Sequence, residues 1–309
     1  MGLSAHRYYP DDYWRIRAFL REVYLVNDRR ELCWQTYRFD YWRWHAVENI
    51  EHFQLEDVIT VWETADGQIA AVLHPEGRGE AFLQVRPIWR TPDLIAEMVT
   101  VAEQQLSNAE PDGQRRLTVW CNEHDTAGHE VLRQRGYARG DWPEYQRRRS
   151  LLAPIVDVPL PPGYVIHPMG DGAELIERCY ASGLAFHPGD VQYAIDNRDV
   201  TWYRNIQNAP LYRRDLDLVV SAPDGSVAAF CTIWFDDVTR TGSFEPVATV
   251  PAQQRRGLGK AVMTEGLRRL QRLGATQATV GSYSEHAGAL YASMGFTEYD
   301  LSEQWNKTL

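Results

Sequence analysis

Residues 250–261 read Val-Pro-Ala-Gln-Gln-Arg-Arg-Gly-Leu-Gly-Lys-Ala, and their types and spacing carry the clearest chemistry in the chain. An apolar strand pattern ends at Val250. An amphipathic helix pattern follows, with Met263, Leu267 and Leu270 at i, i+4 and i+7. Between the two, Gly257 and Gly259 let the backbone approach a ligand where a Cβ would collide. Successive amides at a helix start favour an anion, and Arg255, Arg256 and Lys260 add positive charge. The pattern predicts a pyrophosphate cradle. It is not a Walker loop, because Gly259-Lys260 is followed by Ala261, and it holds no G-x-G-x-x-G fingerprint.

A second pattern lies about 28 residues downstream, after one more strand: Ser-Glu-His-Ala-Gly-Ala-Leu-Tyr-Ala-Ser-Met-Gly-Phe at 284–296. It reads as a short helix that Ser284 can cap and Gly295 closes. Gln254-Arg255-Arg256-Gly257-Leu258-Gly259 fits Gln/Arg-x-x-Gly-x-Gly/Ala, and the chain thereby resembles the GNAT superfamily of N-acetyltransferases, whose coenzyme A signature this is. The downstream stretch resembles that family's Asn-x-x-Ala-x-x-Leu-Tyr-x-x-x-Gly-Phe. Ala287, Leu290, Tyr291, Gly295 and Phe296 fit, and Ser284 replaces the usual Asn. Direct motif coverage is residues 245–296.

The resemblance implies a mixed, V-shaped sheet flanked by helices. Acetyl-CoA would lie where the strands Phe244–Val250 and Ala275–Val280 part, with its pantetheine arm added to the edge of the former. The thioester would then sit near Ala248, Thr249 and Val250, with a backbone N–H near Ala248 to stabilise an oxyanion. Residues Gln254 to Lys260, with Ser284 and Ala287, complete the cofactor set that the resemblance implies. Tyr291 would protonate the departing thiolate; the competing reading is a packing residue on an amphipathic helix. Glu245 lies on the cofactor strand, placed by period two on the face of Val247. It is the candidate general base for an ammonium, or a cap on the sheet end beside Pro246. Cys231, mid-strand among apolar residues, reads as inert core.

The rest of the chain must position these groups. In the second half, strand patterns at Asp217–Val220, Val227–Phe235 and Phe244–Val250 lead into the Gly loop. The helix runs to Leu273-Gly274, and a strand, the short helix and a final strand follow. The first half repeats this order: strands at Asp57–Trp62, Ile69–His74 and Ala81–Val85, a helix at Pro92–Leu106, a strand at Leu117–Cys121 and a helix at Thr126–Arg135. Asp66-Gly67 and Asp224-Gly225 lie 158 residues apart, and Gly136-Tyr137 and Gly295-Phe296 lie 159 apart. A period near 160 means duplicated domains. We therefore expect an α/β (α+β) chain of two GNAT-like domains: residues 1–152, a Pro-rich linker at 153–163, and 164–309. After Val85 the first copy reads Arg-Pro-Ile-Trp-Arg-Thr-Pro-Asp-Leu, without glycine and with two prolines that lack amide donors. Leu132 stands at the offset from Tyr291. The first copy reads as degenerate and non-catalytic, the second as competent.

Composition bounds the rest. The 309 residues are 44% hydrophobic and 24% charged, as in globular proteins. A net charge of −10 argues against nucleic-acid binding and is compatible with an amine substrate. No apolar run approaches the ~18 residues of a membrane span, and the N-terminus lacks a signal-peptide core, so a cytoplasmic protein is expected. The four cysteines form no C-x-x-C, and His124 and His129 make a poor metal pair, so no metal is expected. The aromatic run at 34–45 reads as a helix on a core or interface, or as a substrate wall. The expected activity is acetyl transfer from acetyl-CoA to the primary amine of a small-molecule acceptor, by a monomer (an internal pseudo-dimer) or a homodimer. The alternative is a non-catalytic acyl-CoA sensor, which would keep the cradle and need no acid.

Overall fold

The computed structural model describes residues 2–309. Its contacts divide into two units, Met1–Gln146 with Asp300–Leu309, and Arg147–Tyr299. The break is not at residue 152. The first unit takes in the C-terminal segment, which completes its sheet, and residues 147–150 belong to the second, contiguous unit.

In the first unit the strands run in the order Ser4–Arg7, Thr60–Glu63, Ile69–His74, Glu80–Val85, Arg115–Asn122 and then the terminal strand. All neighbours are antiparallel except one parallel step, Glu80–Phe82 against Thr118–Trp120. Two apolar layers cover the sheet. One is formed with helices Pro92–Gln105 and Thr126–Gln134, the other with helix Asp12–Val26 and the aromatic segment. The aromatic run is core: Trp34, Tyr37, Phe39 and Trp42 are buried. It forms a short α-helix, Thr36–Tyr41, and then a π-helix, Trp42–Glu51. The strand expected from Asp57 begins at Thr60, because Leu55–Val58 makes one helical turn.

In the second unit residues 147–150 lie beside Gln277–Ser282, followed by Thr241–Thr249, Val227–Asp236, Asp217–Ser221 and Val165–Pro168. Helices Leu258–Arg272 and Glu285–Ser293 pack on one face through Val262, Leu267, Leu270 and Tyr291. Helices Ala173–Phe186 and Thr201–Gln207 meet Phe230 and Thr232 from the other side. The expected linker is not free chain. Ile155 and Leu160 pack against this core, and Gln271 donates to the Leu151 carbonyl at 2.7 Å.

The cofactor-strand region is where the sheet opens. Thr241–Thr249 pairs in parallel with Gln277–Ser282 only from Thr241↔Gln277 to Phe244↔Val280. Beyond Phe244 the two strands part, and residues 245–249 are only half-buried. On the other side this strand stays paired with Val227–Asp236, but its register shifts between Cys231 and Ile233. Two steps there oppose three from Val247 to Phe244, so an extra residue is accommodated at Glu245-Pro246. Pro246 has no N–H for a ladder.

Candidate active site

The Gly loop joins the end of that strand to its helix. The Val250 amide donates to the Ala228 carbonyl at 3.0 Å, and a 3-10 turn at Pro251–Gln253 carries the chain out of the sheet. Gln254 reaches back with its Nε2, 3.3 Å from the Thr249 carbonyl. Gly257 has φ +79° and caps the helix, whose first closing bond is Ala261 N–H to the Gly257 carbonyl at 2.9 Å. A Cβ at Gly257 would meet open space, so its conformation, not crowding, demands glycine there. Gly259 is the close-approach residue, since a Cβ would lie 3.1 Å from Thr249 Oγ1.

The amides of Gly257, Leu258, Gly259 and Lys260 have no acceptor among the described residues, as a helix start leaves them. Arg255, Arg256 and Lys260 form no ion pair among the described residues. Arg256 donates to the Tyr164 hydroxyl at 3.1 Å, and that hydroxyl donates to Gln253 at 2.7 Å. Unpaired amides with unpaired cations beside them are the donor set that a diphosphate requires. The residues expected to hold the cofactor are therefore assembled, and their chemistry fits it.

The ladder changes one detail. Because Val250 and Ala228 form a hydrogen-bonded pair, so do Ala248 and Phe230 two residues on. Both main-chain polar groups of Ala248 therefore turn to Phe230. The amides that face the opening are those of Val247 and Thr249. The extra residue at Glu245-Pro246 also breaks the alternation that placed Glu245 on the face of Val247. Phe244 is buried in the core and Val247 packs against it, while Glu245 between them is half-exposed.

Helix Glu285–Ser293 brings the second pattern to the same place. Ser284 Oγ accepts from the Ala287 amide at 3.2 Å, so serine does the capping expected of it. Leu290 Cδ2 lies 3.9 Å from where a Gly259 Cβ would stand. Tyr291 is 7% exposed, with its ring 6.3 Å from that of Phe296. Burial raises its phenol above the ordinary tyrosine range, and the negative charge of Glu245 raises it further. Tyr291 and Glu245 thus share one electrostatic neighbourhood, in which the phenol keeps its proton. Cys231 is fully buried and its thiol is pushed far up, chiefly by burial and then by Asp217, so it offers no thiolate.

Sequence reasoning missed the polar layer on the other face of Val227–Asp236. Asp217 is fully buried and accepts from Tyr203 at 2.8 and 2.9 Å, Tyr212 at 2.8 Å and Thr232 at 3.1 Å. Trp234, whose ring meets that of Tyr212 edge-on at 6.4 Å, donates to the Glu245 carbonyl at 2.6 Å. Helices 201–207 and 191–196 have too short a period to be read from sequence, and this layer hangs from the first of them.

The first unit has the same opening without the cradle. Its parallel step ends at Phe82↔Trp120. Pro87–Trp89 forms a 3-10 turn, the next helix is capped by Thr91, and Arg90 is ion-paired to Asp125. Leu132 is buried where the offset places the counterpart of Tyr291.

Among the described residues, no helix is long and apolar enough to cross a membrane. His6, Asp12 and Glu63 are, among the described residues, the one cluster of metal-ligand type, and Arg15 is ion-paired to both of its carboxylates. His129 lies 3.2 Å from Glu303, and neither it nor His124 belongs to such a cluster.

Comparison with known proteins agrees with this geometry. Residues 184–296 match the acetyltransferase (GNAT) family. The chain is 28% identical over 254 residues to a mycothiol acetyltransferase of Kineococcus radiotolerans, covering 78% of each. In fold it is similar to a GCN5-related N-acetyltransferase from Sphaerobacter thermophilus, with TM-score 0.69, 16% identity and 99% and 95% of the two chains covered. It is also similar to a tandem GNAT protein from the clavulanic acid biosynthesis pathway, with TM-score 0.65, 14% identity and 99% and 98% covered.

Proposed function

We propose that the chain, whose residues 184–296 match the acetyltransferase (GNAT) family, transfers an acetyl group from acetyl-CoA directly to the primary amine of a small-molecule acceptor, and that the second unit does the chemistry. The observation that carries this reading is the convergence at one strand end: unpaired amides at 257–260, unpaired cations at 255, 256 and 260, an open strand edge at 245–249, and Tyr291 within electrostatic reach of Glu245. The mycothiol acetyltransferase relative points to a small-molecule acceptor rather than a protein.

Acetyl-CoA would supply an acetyl thioester activated for attack. Every other task falls to the chain. Gly257–Lys260 would hold the diphosphate by main-chain donors, with Arg255, Arg256 and Lys260 screening its charge. Val247 and Thr249 offer the N–H and C=O groups that an amide-bearing arm pairs with, and one N–H to polarise the thioester carbonyl. Glu245 would take a proton from the acceptor ammonium, directly or through water. Tyr291 would give its proton to the departing sulfur. Burial keeps the phenol protonated, so the proton is present to be given.

The test is release of free thiol from acetyl-CoA with and without a panel of primary amines. Release only when an amine is present supports direct transfer. Binding without release for any amine supports the acyl-CoA sensor instead.

A further inference from the structure

The first unit's opening is partly filled by the chain itself. Its walls are Phe82–Gln84 on one strand and Trp120–Asn122 on the other, and residues 31–34 lie across it. The Trp34 amide donates to Gln84 Oε1 at 2.8 Å, and the Cys33 thiol points at the Val85 carbonyl at 3.7 Å. Glu31 is tied in place, its amide donating to Asp300 at 3.0 Å. Residues 31–34 therefore run along this strand edge, and toward the strand end Leu32, Cys33, Val85, Pro87, Arg90 and Thr126 line a separate hollow of about 310 Å³.

A cavity of about 30 Å³ remains. Four side-chain atoms among its lining residues are buried without a partner: Glu31 Oε1, Trp34 Nε1, Asn122 Nδ2 and Gln146 Oε1. Orphaned buried polar atoms are rare and costly, at about 1–3 kcal/mol each. With Glu31 as carboxylate, two of the four accept and two donate. Ammonium has only donors to offer and a small anion only acceptors, whereas water has two of each. The volume suits one or two water molecules and nothing of the size of a pantetheine arm.

We propose that this cavity is a built hydration site, in which ordered water joins Glu31, Trp34, Asn122 and Gln146.

The experiment is a crystal structure of the full chain at pH 8 and high resolution. The expected result is a water peak within hydrogen-bond distance of at least three of the four atoms. A dry cavity, or density for an ion, overturns the proposal. Trp34→Phe and Gln146→Leu each remove one partner, so the peak should weaken or vanish in both; an unchanged peak in both would also count against it.

Discussion

The indole Nε1 of Trp234 donates to the main-chain carbonyl of Glu245 at 2.6 Å, at the point where the cofactor strand takes in its extra residue. Trp234 is fully buried, so the bond is shielded from water. It anchors the backbone of the candidate base at the place where ladder pairing lapses. Two kinetic consequences can be separated. Glu245→Gln keeps size and anchor but cannot accept a proton, so kcat/KM should fall and its rising limb should move to higher pH. Trp234→Phe should lower stability by about 1–3 kcal/mol by orphaning a carbonyl, with the pH profile unmoved. A Glu245→Gln enzyme with the parental pH profile would remove the base assignment.

Tyr291→Phe keeps the ring on Phe296 and deletes the proton. A lost general acid costs about 10²-fold or more in turnover, so kcat should drop by that order with acetyl-CoA affinity nearly unchanged. The sign of the pKa shift adds a constraint. Burial, then Glu245, raises the phenol above its ordinary value of 10.0, so loss of its proton cannot produce a falling limb below about pH 10. Full activity in Tyr291→Phe would reduce the residue to packing.

The two loop glycines should fail differently. At Gly257 the φ of +79° makes any side chain strained although space is free, at about 1–2 kcal/mol. Gly257→Val should weaken acetyl-CoA binding about tenfold or more. Gly259→Ala meets Thr249 Oγ1 at 3.1 Å, a contact a small shift relieves, so its effect should be milder and Gly259→Val much larger. Unchanged affinity in Gly257→Val, measured calorimetrically, would sink the cradle.

Glu31 gives a stability test independent of catalysis. Burial lifts its carboxyl from 4.5 to about 7. The folded chain then binds that proton more tightly than the unfolded chain, so this contribution is present below pH 4.5 and is lost as pH rises toward 7. The span is at most about 3 kcal/mol. Denaturant midpoints of Glu31→Gln should lack that part of the decline; identical pH slopes would refute the shift.

Much of this was legible from residue types. Gly225, Gly274 and Gly295 fall at left-handed positions just past a strand or helix end, Gly257 at the one that begins a helix, and Ser284 caps where a polar N-cap was expected. Periodicity placed Ile69–His74 to the residue. What failed was non-local. The end strands 147–150 and 300–309 change places between units, and strand patterns name no partners. Period two misplaced Glu245 because a bulge leaves no mark in hydropathy. Which amides beside Ala248 face the opening was not legible either, since ladder phase depends on register. Residues 31–34 gave no hint that they run along a strand edge.

The most direct measurement is calorimetric titration of the full chain with acetyl-CoA, counting sites. The account predicts one site per chain, abolished or strongly weakened in Gly257→Val. Two sites would contradict the reading of the first copy as lacking a cradle, and no binding would contradict the assignment of acetyl-CoA as donor.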